Sequence, residues 1–306
     1  MVKSARLGAA EHARRQPFRI ETVYAAERVR ALLEPRRLYA AYALGQLSPD
    51  LFPLTDCWRA TGLESGSGAL VVFSRGGLGD ALFTLGEPDA LAAILSIHPG
   101  PRQNYVTCEP AHVDTVRRFY QLSAEQPMLR MWVTAQSFAP VRSTPPGLLV
   151  RRMYATDARL VNRLYNSEGS PTYYSGQQIA AGCYYGVIDD GHLVAVAGTH
   201  VISPDEGIAV VGNVFTHPLW RGRGYATLAT GATTAYLLRQ CRDVVLTVDA
   251  ANTPAVRAYQ RLGFRTDCRL IEAAITRREL IPLASYLRRL HARSRAQQDG
   301  SEIVVA

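Results

Sequence analysis

The spacing of apolar and polar positions divides the 306-residue chain into two stretches of mixed helix and strand, separated by a proline-rich break. No pattern is evident as far as about Pro17. A helical spacing follows from Ala25 to Leu47, with Val29, Leu32, Leu33, Leu38, Tyr42 and Leu44 on its apolar side. Pro35 splits that helix in two, because its ring removes a hydrogen bond and clashes with the preceding turn. Strands are expected over 69–74 and 81–85 around a glycine-rich hairpin turn (75–80), helices over 89–97 and 111–120, and extended segments over 104–108 and 128–134. Ser143-Thr144-Pro145-Pro146-Gly147 suits neither helix nor ladder and reads as a linker.

Beyond the linker the pattern predicts a strand over 148–154, then a helix over 157–165 with Asp157 as its cap. Strands over 183–188 and 192–201 flank the turn Asp189-Asp190-Gly191. A long apolar strand (208–216), a helix (225–241), a strand (243–249), a helix (253–262) and a strand (268–275) complete the stretch, and a basic amphipathic helix is expected over 282–295. The order helix, strand, helix, strand in 89–134 recurs in 225–275, which suggests an internal repeat.

Composition narrows the class. With 47% hydrophobic and 20% charged residues the chain can bury a core, and its length suits about two domains. No apolar run approaches the roughly 20 residues that span a bilayer, so no membrane association is expected. The first residues carry charge without the apolar stretch of a secretory signal. Five cysteines (Cys57, Cys108, Cys183, Cys241 and Cys268) are odd in number and widely spaced, so neither a disulfide framework nor a metal site is expected, and the reading is a reduced, cytoplasmic protein. The net charge of +8 resides wholly in the ends, +5 in residues 1–37 and +3 in 277–306. A neutral body does not imply a basic groove, so nucleic acid is not an expected partner, although basic ends leave contact with anionic partners open.

The most informative segment is Arg221-Gly222-Arg223-Gly224-Tyr225-Ala226, set between an apolar strand and a helix. Glycines there allow a tight turn and close approach of a ligand. The unpaired N–H groups and the dipole of the helix start favour an anion, and two arginines add forked donors. This is the chemistry of a pyrophosphate cradle, and the plainer alternative is a turn that only starts a helix. The segment 252–264 follows the next strand. Its Asn252 can cap a helix, Pro254 fits the first turn, Ala255, Tyr259 and Leu262 share a face, Gly263 ends the helix and Phe264 enters the core. Taken singly, Tyr259 reads as a core aromatic.

Together the two segments resemble the GNAT acyltransferase superfamily over about residues 148–275. Arg221, Gly224 and Ala226 match its pyrophosphate loop (Arg or Gln, two residues, Gly, one residue, Gly or Ala). Asn252, Ala255, Tyr259, Gly263 and Phe264 match its second conserved segment, and His217-Pro218 its lead-in. The resemblance implies a mixed, largely antiparallel sheet flanked by helices, an α/β (α+β) fold. The tandem arrangement is similar to members with an FR47-like carboxy-terminal domain: a degenerate GNAT-like unit over 18–142, a linker over 143–147, a catalytic unit over 148–276 and a basic tail over 277–306.

By the same resemblance, Val214, Phe215 and Thr216 bond the pantetheine arm of acetyl-CoA (acyl-CoA), and Arg221 to Ala226 (Arg221, Gly222, Arg223, Gly224, Tyr225, Ala226) hold its pyrophosphate. Asn252 contacts the cofactor arm, and Tyr259 protonates the leaving thiolate. The implied activity is an N-acetyltransferase acting by direct transfer to a primary amine of a small molecule or amino acid, with a protein amine as the other acceptor, in a monomer or homodimer. The resemblance leaves the base open: Ile208 to Val214 carries no glutamate, and the candidates are Glu206, His200, His217 and Glu168, of which Glu206, just before the strand, is taken as catalytic. Tyr173 and Tyr174 either line the acceptor pocket or form a surface turn. A non-catalytic acyl-CoA-binding module is the rival reading. In the first half the nearest counterpart of the loop, Leu85-Gly86-Glu87-Pro88-Asp89, is acidic where a phosphate site is basic.

Overall fold

The computed structural model describes residues 17–64, 66–76, 79–141, 143–169, 173–278, 283–288, 290 and 304–305. The first half runs β1 (Phe18–Thr22), α1 (Ala26–Leu33), α2 (Ala41–Gly45), β2 (Thr55–Gly62), β3 (Gly68–Ser74), β4 (Ala81–Gly86), α3 (Pro88–Ile97), β5 (Gln103–Cys108), α4 (Val113–Phe119) and β6 (Tyr120–Val133). The second repeats that order: β7 (Leu148–Met153), α5 (Ala158–Tyr165), α6 (Gly176–Ala181), β8 (Tyr184–Asp189), β9 (His192–Ser203), β10 (Ile208–Thr216), α7 (Tyr225–Leu237), β11 (Asp243–Asp249), α8 (Thr253–Arg261) and β12 (Arg265–Arg277). A short β13 (Val304–Val305) pairs with β1. The repeat therefore extends well beyond the four elements visible in sequence. Of the basic helix expected over 282–295, residues 283–288 are helical, and most of the rest, like the segment before Pro17, lies outside the described residues.

All the strands form one mixed, mostly antiparallel sheet in the order β13-β1-β2-β3-β4-β5-β12-β6-β11-β10-β9-β8-β7. The linker divides the chain but not the sheet. Strand β12, from the second half, pairs with β5 of the first, and β6, from the first half, pairs with β11 of the second. The β6–β12 pair forms the centre of the sheet. Helices cover both faces. β3 and α3 are buried almost throughout, which is why both read as continuous apolar runs without clear alternation.

Helices α1 and α2 come from the first half but pack across both. Their core includes Leu70, Val72 and Phe83 from the first half and Val201, Ile208, Val210 and Val245 from the second. Gly45 makes this possible: a Cβ there would collide with Val201 on β9. Pro35 breaks the segment as expected, giving α1, a short 3-10 turn and α2. Several elements differ from expectation, β1 and β2 among them, which the spacing does not predict. β6 begins at Tyr120, where a helix was expected to end, and absorbs Pro127 beside a bulge with Ala124 at φ 52. α7 stops at Leu237 instead of 241, and α6 occupies a stretch that read as loop. Among the described residues no helix is long and apolar enough to cross a membrane.

Candidate active site

The site begins with a defect in β10. It pairs in parallel with β11 only from Ile208↔Asp243 to Val211↔Leu246, although both strands continue. On its other edge the register with β9 jumps between Gly212↔Gly198 and Phe215↔Val196. Asn213 sits in this bulge at φ 52, a left-handed conformation that asparagine tolerates better than most residues. Bulges bend the strand that carries them. β10 and β11 diverge past Leu246, leaving the backbone of Val214, Phe215 and Thr216 beside a wedge-shaped opening.

At the mouth of that wedge His217 caps a 3-10 turn (Pro218–Trp220), accepting from Leu219 N at 3.3 Å through Nδ1. Gly222 and Gly224 follow at φ 79 and 81, and a Cβ on either would meet nothing within 4 Å. The positive φ explains the glycines, and the space beside them is open. Helix α7 starts at Tyr225, so the N–H groups of Tyr225 and Ala226 belong to its unpaired first turn. The Tyr225 side chain turns away to donate to Asp189 (2.6 Å). Arg221 donates to Thr216 O at 3.3 Å, lies over the Phe215 ring and ion-pairs with Glu168, both partners being well exposed. Arg223 is exposed. Thr216 Oγ1 is buried without a hydrogen-bond partner. Open glycines, two arginines, a helix start and an orphaned hydroxyl suit a phosphorylated ligand whose arm enters the wedge.

On the β11 side, Asn252 caps α8 by accepting from Ala255 N at 3.2 Å. Tyr259 lies on that helix in a core cluster with Val211, Leu246 and Val248, against which Val214 packs, and so shares a core with both diverging strands. Burial pushes its phenol up to about 12. It therefore stays protonated near neutral pH and can act only as a donor there.

Under the bulge a chain of polar side chains joins the halves. Asn213 Oδ1 accepts from Tyr174 (2.9 Å) and faces His200 Nε2 (3.0 Å), and its Nδ2 donates to Tyr184 (3.0 Å). His200 Nδ1 faces the Tyr42 hydroxyl at 2.7 Å. The network assigns the Nε2–H tautomer: Nε2 donates to the amide oxygen, and Nδ1 accepts from Tyr42. Burial lowers the His200 pKa, partly offset by Asn213, so the ring is neutral at pH 7. Tyr42 carries the buried Arg130 guanidinium 4.9 Å from its ring centroid, and Arg130 donates to Thr247 (2.6 Å) at the point where β11 leaves β10. Of the tyrosines left open above, Tyr174 faces this cluster and Tyr173 is a surface residue.

The structure does not bring Glu206 to the wedge. It precedes β10, at the end remote from Thr216, and both its oxygens accept from Arg30 (2.8 and 2.6 Å). A carboxylate clamped by a guanidinium is a tie between the halves and a poor base. His200, one of four candidates, is the one placed in the cluster. Tyr42 and Arg130 were missed because they lie in the first half, and their only sequence signal is an apolar helical face and a strand.

The first half has the same wedge, but filled. β4 and β5 pair only from Ala81↔Tyr105 to Phe83↔Thr107. Past that point buried His112 accepts from Thr84 Oγ1 (2.9 Å) and donates to Gly86 O (2.7 Å), while Tyr39 donates to Thr84 O (2.8 Å). Helix α3 then begins directly at Pro88, after Glu87, with no arginine–glycine loop.

Residues 151–264 match the family model of the acetyltransferase (GNAT) family, whose fold and chemistry are those of acyl transfer. No curated protein matches the chain in sequence. Among solved structures, a Drosophila protein superposes with a TM-score of 0.56 at 16% identity, over 83% of this chain and 98% of that one. A GCN5-related N-acetyltransferase from Sphaerobacter thermophilus gives 0.55 at 16% identity, over 85% and 95%. A tandem GNAT protein from the clavulanic acid biosynthesis pathway gives 0.50 at 17% identity, over 84% and 98%. At such identities these likenesses establish the fold, and they do so across both halves.

Proposed function

We infer, from the match of residues 151–264 to the model of the acetyltransferase (GNAT) family, an N-acyltransferase that uses acetyl-CoA and acts on a primary amine of a small molecule by direct transfer. The observation that carries this reading is the divergence of β10 and β11 at the Asn213 bulge, directly preceding an open arginine–glycine loop at a helix start.

The residues divide the work as follows. Gly222, Gly224 and the first turn of α7 receive the diphosphate, with Arg221 and Arg223 as counter-charges. The exposed Arg221–Glu168 pair is worth little in water, so exchanging that carboxylate for a diphosphate is favourable. Backbone groups of Val214 to Thr216 align the arm, and Asn252 borders it from α8. When bound, acetyl-CoA supplies an activated acyl group. Tyr259 holds its proton until a thiolate needs it. The amine must lose a proton, and the Tyr42–His200 pair can take it: Tyr42 receives it at its hydroxyl oxygen while handing its own to His200 Nδ1, which burial keeps free of a proton at neutral pH. Holding both reactants in one wedge supplies the proximity part of the rate.

The test is thermal unfolding with and without acetyl-CoA, in wild type and in Arg221→Ala and Gly224→Asp variants, followed by release of CoA thiol in the presence of primary amines. A ligand near 100 times its dissociation constant adds about 2.7 kcal/mol. The expected result is a clear shift in wild type that is lost in Gly224→Asp and reduced in Arg221→Ala. No shift with any acyl-CoA would overturn the reading.

A further inference from the structure

Between the halves lies a cavity of about 350 Å³, roofed by α2 and walled by β3, β4, β5, β9 and β12. Its walls are mainly apolar, and the charged groups in its lining are of one sign. Asp80 and Glu272 line it, and among the described residues no arginine or lysine does, in a chain whose net charge is +8. Gln46, only 5% exposed, also lines it, and its Oε1 is buried with no hydrogen-bond partner. A buried acceptor left unpaired carries a desolvation cost, which a donor-bearing ligand would recover. Tyr105 and Thr107 hydroxyls donate to Glu272, and burial raises its carboxyl above the usual range, partly offset by Arg130. Asp80 and Tyr105 are exposed and mark the mouth. Tyr42 and His200, the proposed proton acceptors, form part of the wall.

We propose that this cavity is the acceptor site and that it selects primary amines with an apolar body and no carboxylate, Gln46 and Glu272 binding the ammonium end or a second donor and Asp80 attracting the cation to the mouth. The inference rests on the acyltransferase reading for its catalytic sense, but the binding preference stands by itself. Free α-amino acids are disfavoured, because their carboxylate would enter a site lined by two acidic side chains, with the buried Arg130 behind the Tyr42 ring and not in the lining. Narrowing the acceptor in this way uses residues of both halves: Gln46 and Asp80 come from the first, and Glu272 from the exchanged strand β12.

The experiment is calorimetric titration of the full chain with phenethylamine and tryptamine, with L-phenylalanine and L-tryptophan as carboxylated counterparts and with 2-phenylethanol as the neutral one. Acetyl-CoA is titrated in parallel. The amines are expected to bind at least tenfold more tightly than the amino acids and the alcohol, and Glu272→Gln and Gln46→Leu are expected to weaken amine binding at least tenfold while acetyl-CoA binding is retained. Wild type needs no variant to fold for the first comparison. Equal affinity for amines and amino acids, or no amine binding beside intact acetyl-CoA binding, overturns this inference and leaves the acyltransferase reading in place. Loss of acetyl-CoA binding in wild type overturns that reading, while a preference for amines would still support the cavity's selectivity.

Discussion

Gly212→Ala should act through a ring it does not itself bond to. A Cβ at Gly212 would fall within the contact distance of three His200 ring atoms, closer than real Cβ atoms approach anything. The backbone there is not in the left-handed region, so the cost is steric. His200 must swing away, losing its bonds to Asn213 (3.0 Å) and Tyr42 (2.7 Å). Two neutral hydrogen bonds are worth about 1 kcal/mol each, and overpacking adds about 1–3 kcal/mol, so the substitution should cost about 3–5 kcal/mol. His200→Ala loses the same bonds but empties the space. In that background the added methyl meets no ring, and Gly212→Ala should be nearly neutral, since alanine is a better strand residue than glycine by roughly 0.5–1 kcal/mol. Urea unfolding of the four proteins in this cycle measures the coupling. Contacting residues couple by up to about 3 kcal/mol and distant ones add within about 0.5 kcal/mol. A coupling below about 0.5 kcal/mol would refute the placement of His200 against the bulge, and with it the Tyr42–His200 proton path.

Tyr259→Phe should leave acetyl-CoA binding and stability nearly unchanged and lower kcat by about 10² or more, the usual scale for a lost general acid; unchanged turnover would remove Tyr259 from the chemistry. Glu206→Gln should cost about 1–3 kcal/mol by breaking its part-buried pair with Arg30, yet leave kcat within about twofold. A collapse of kcat with the cofactor still bound would restore Glu206 as the base. All five cysteines should react slowly with a thiol-specific disulfide reagent until the chain unfolds, because burial pushes Cys57, Cys108 and Cys268 up to about 12 and Cys183 and Cys241 to about 11. These folded values, like that of Tyr259, lie above the unfolded ones, so the stability they represent is intact below about pH 8.5 and is lost as the pH rises toward 12. A urea midpoint independent of pH from 8 to 11 would contradict this.

What the sequence carried was local. The loop 221–226, the capped helix after Asn252 and the apolar run 208–216 are each set by neighbouring residues, and all appear where the spacing put them. The partners of those segments depend on distant chain. Nothing near Asn213 announces that its amide meets Tyr174, Tyr184 and His200, and nothing near Tyr42 announces a histidine 158 residues away. Glu206 is suggested by its place just before the apolar strand, but the nine residues of β10 separate it in space from Thr216 and the loop. β2 escaped notice because Asp56, Arg59 and the two threonines mask its alternation, and β6 because Pro127 normally demotes a strand. Glu272 looked like one more polar position on a partly exposed strand.

The exchanged central strands also impose a timetable on synthesis. The inner edge of β5 finds its partner only when β12 has left the ribosome, joining Cys108 to Ile271, and the open side of β11 needs β6, made long before it. Neither half can finish as a unit while the chain emerges, so an unpaired sheet edge persists until β12 arrives. Such edges invite pairing with other chains, and contacts this distant in sequence close slowly. Chains cut short before Arg265 would keep the whole arginine–glycine loop and still be liable to aggregate, so that yield in a truncation series should depend on β12 and not on the nucleotide-sized cradle.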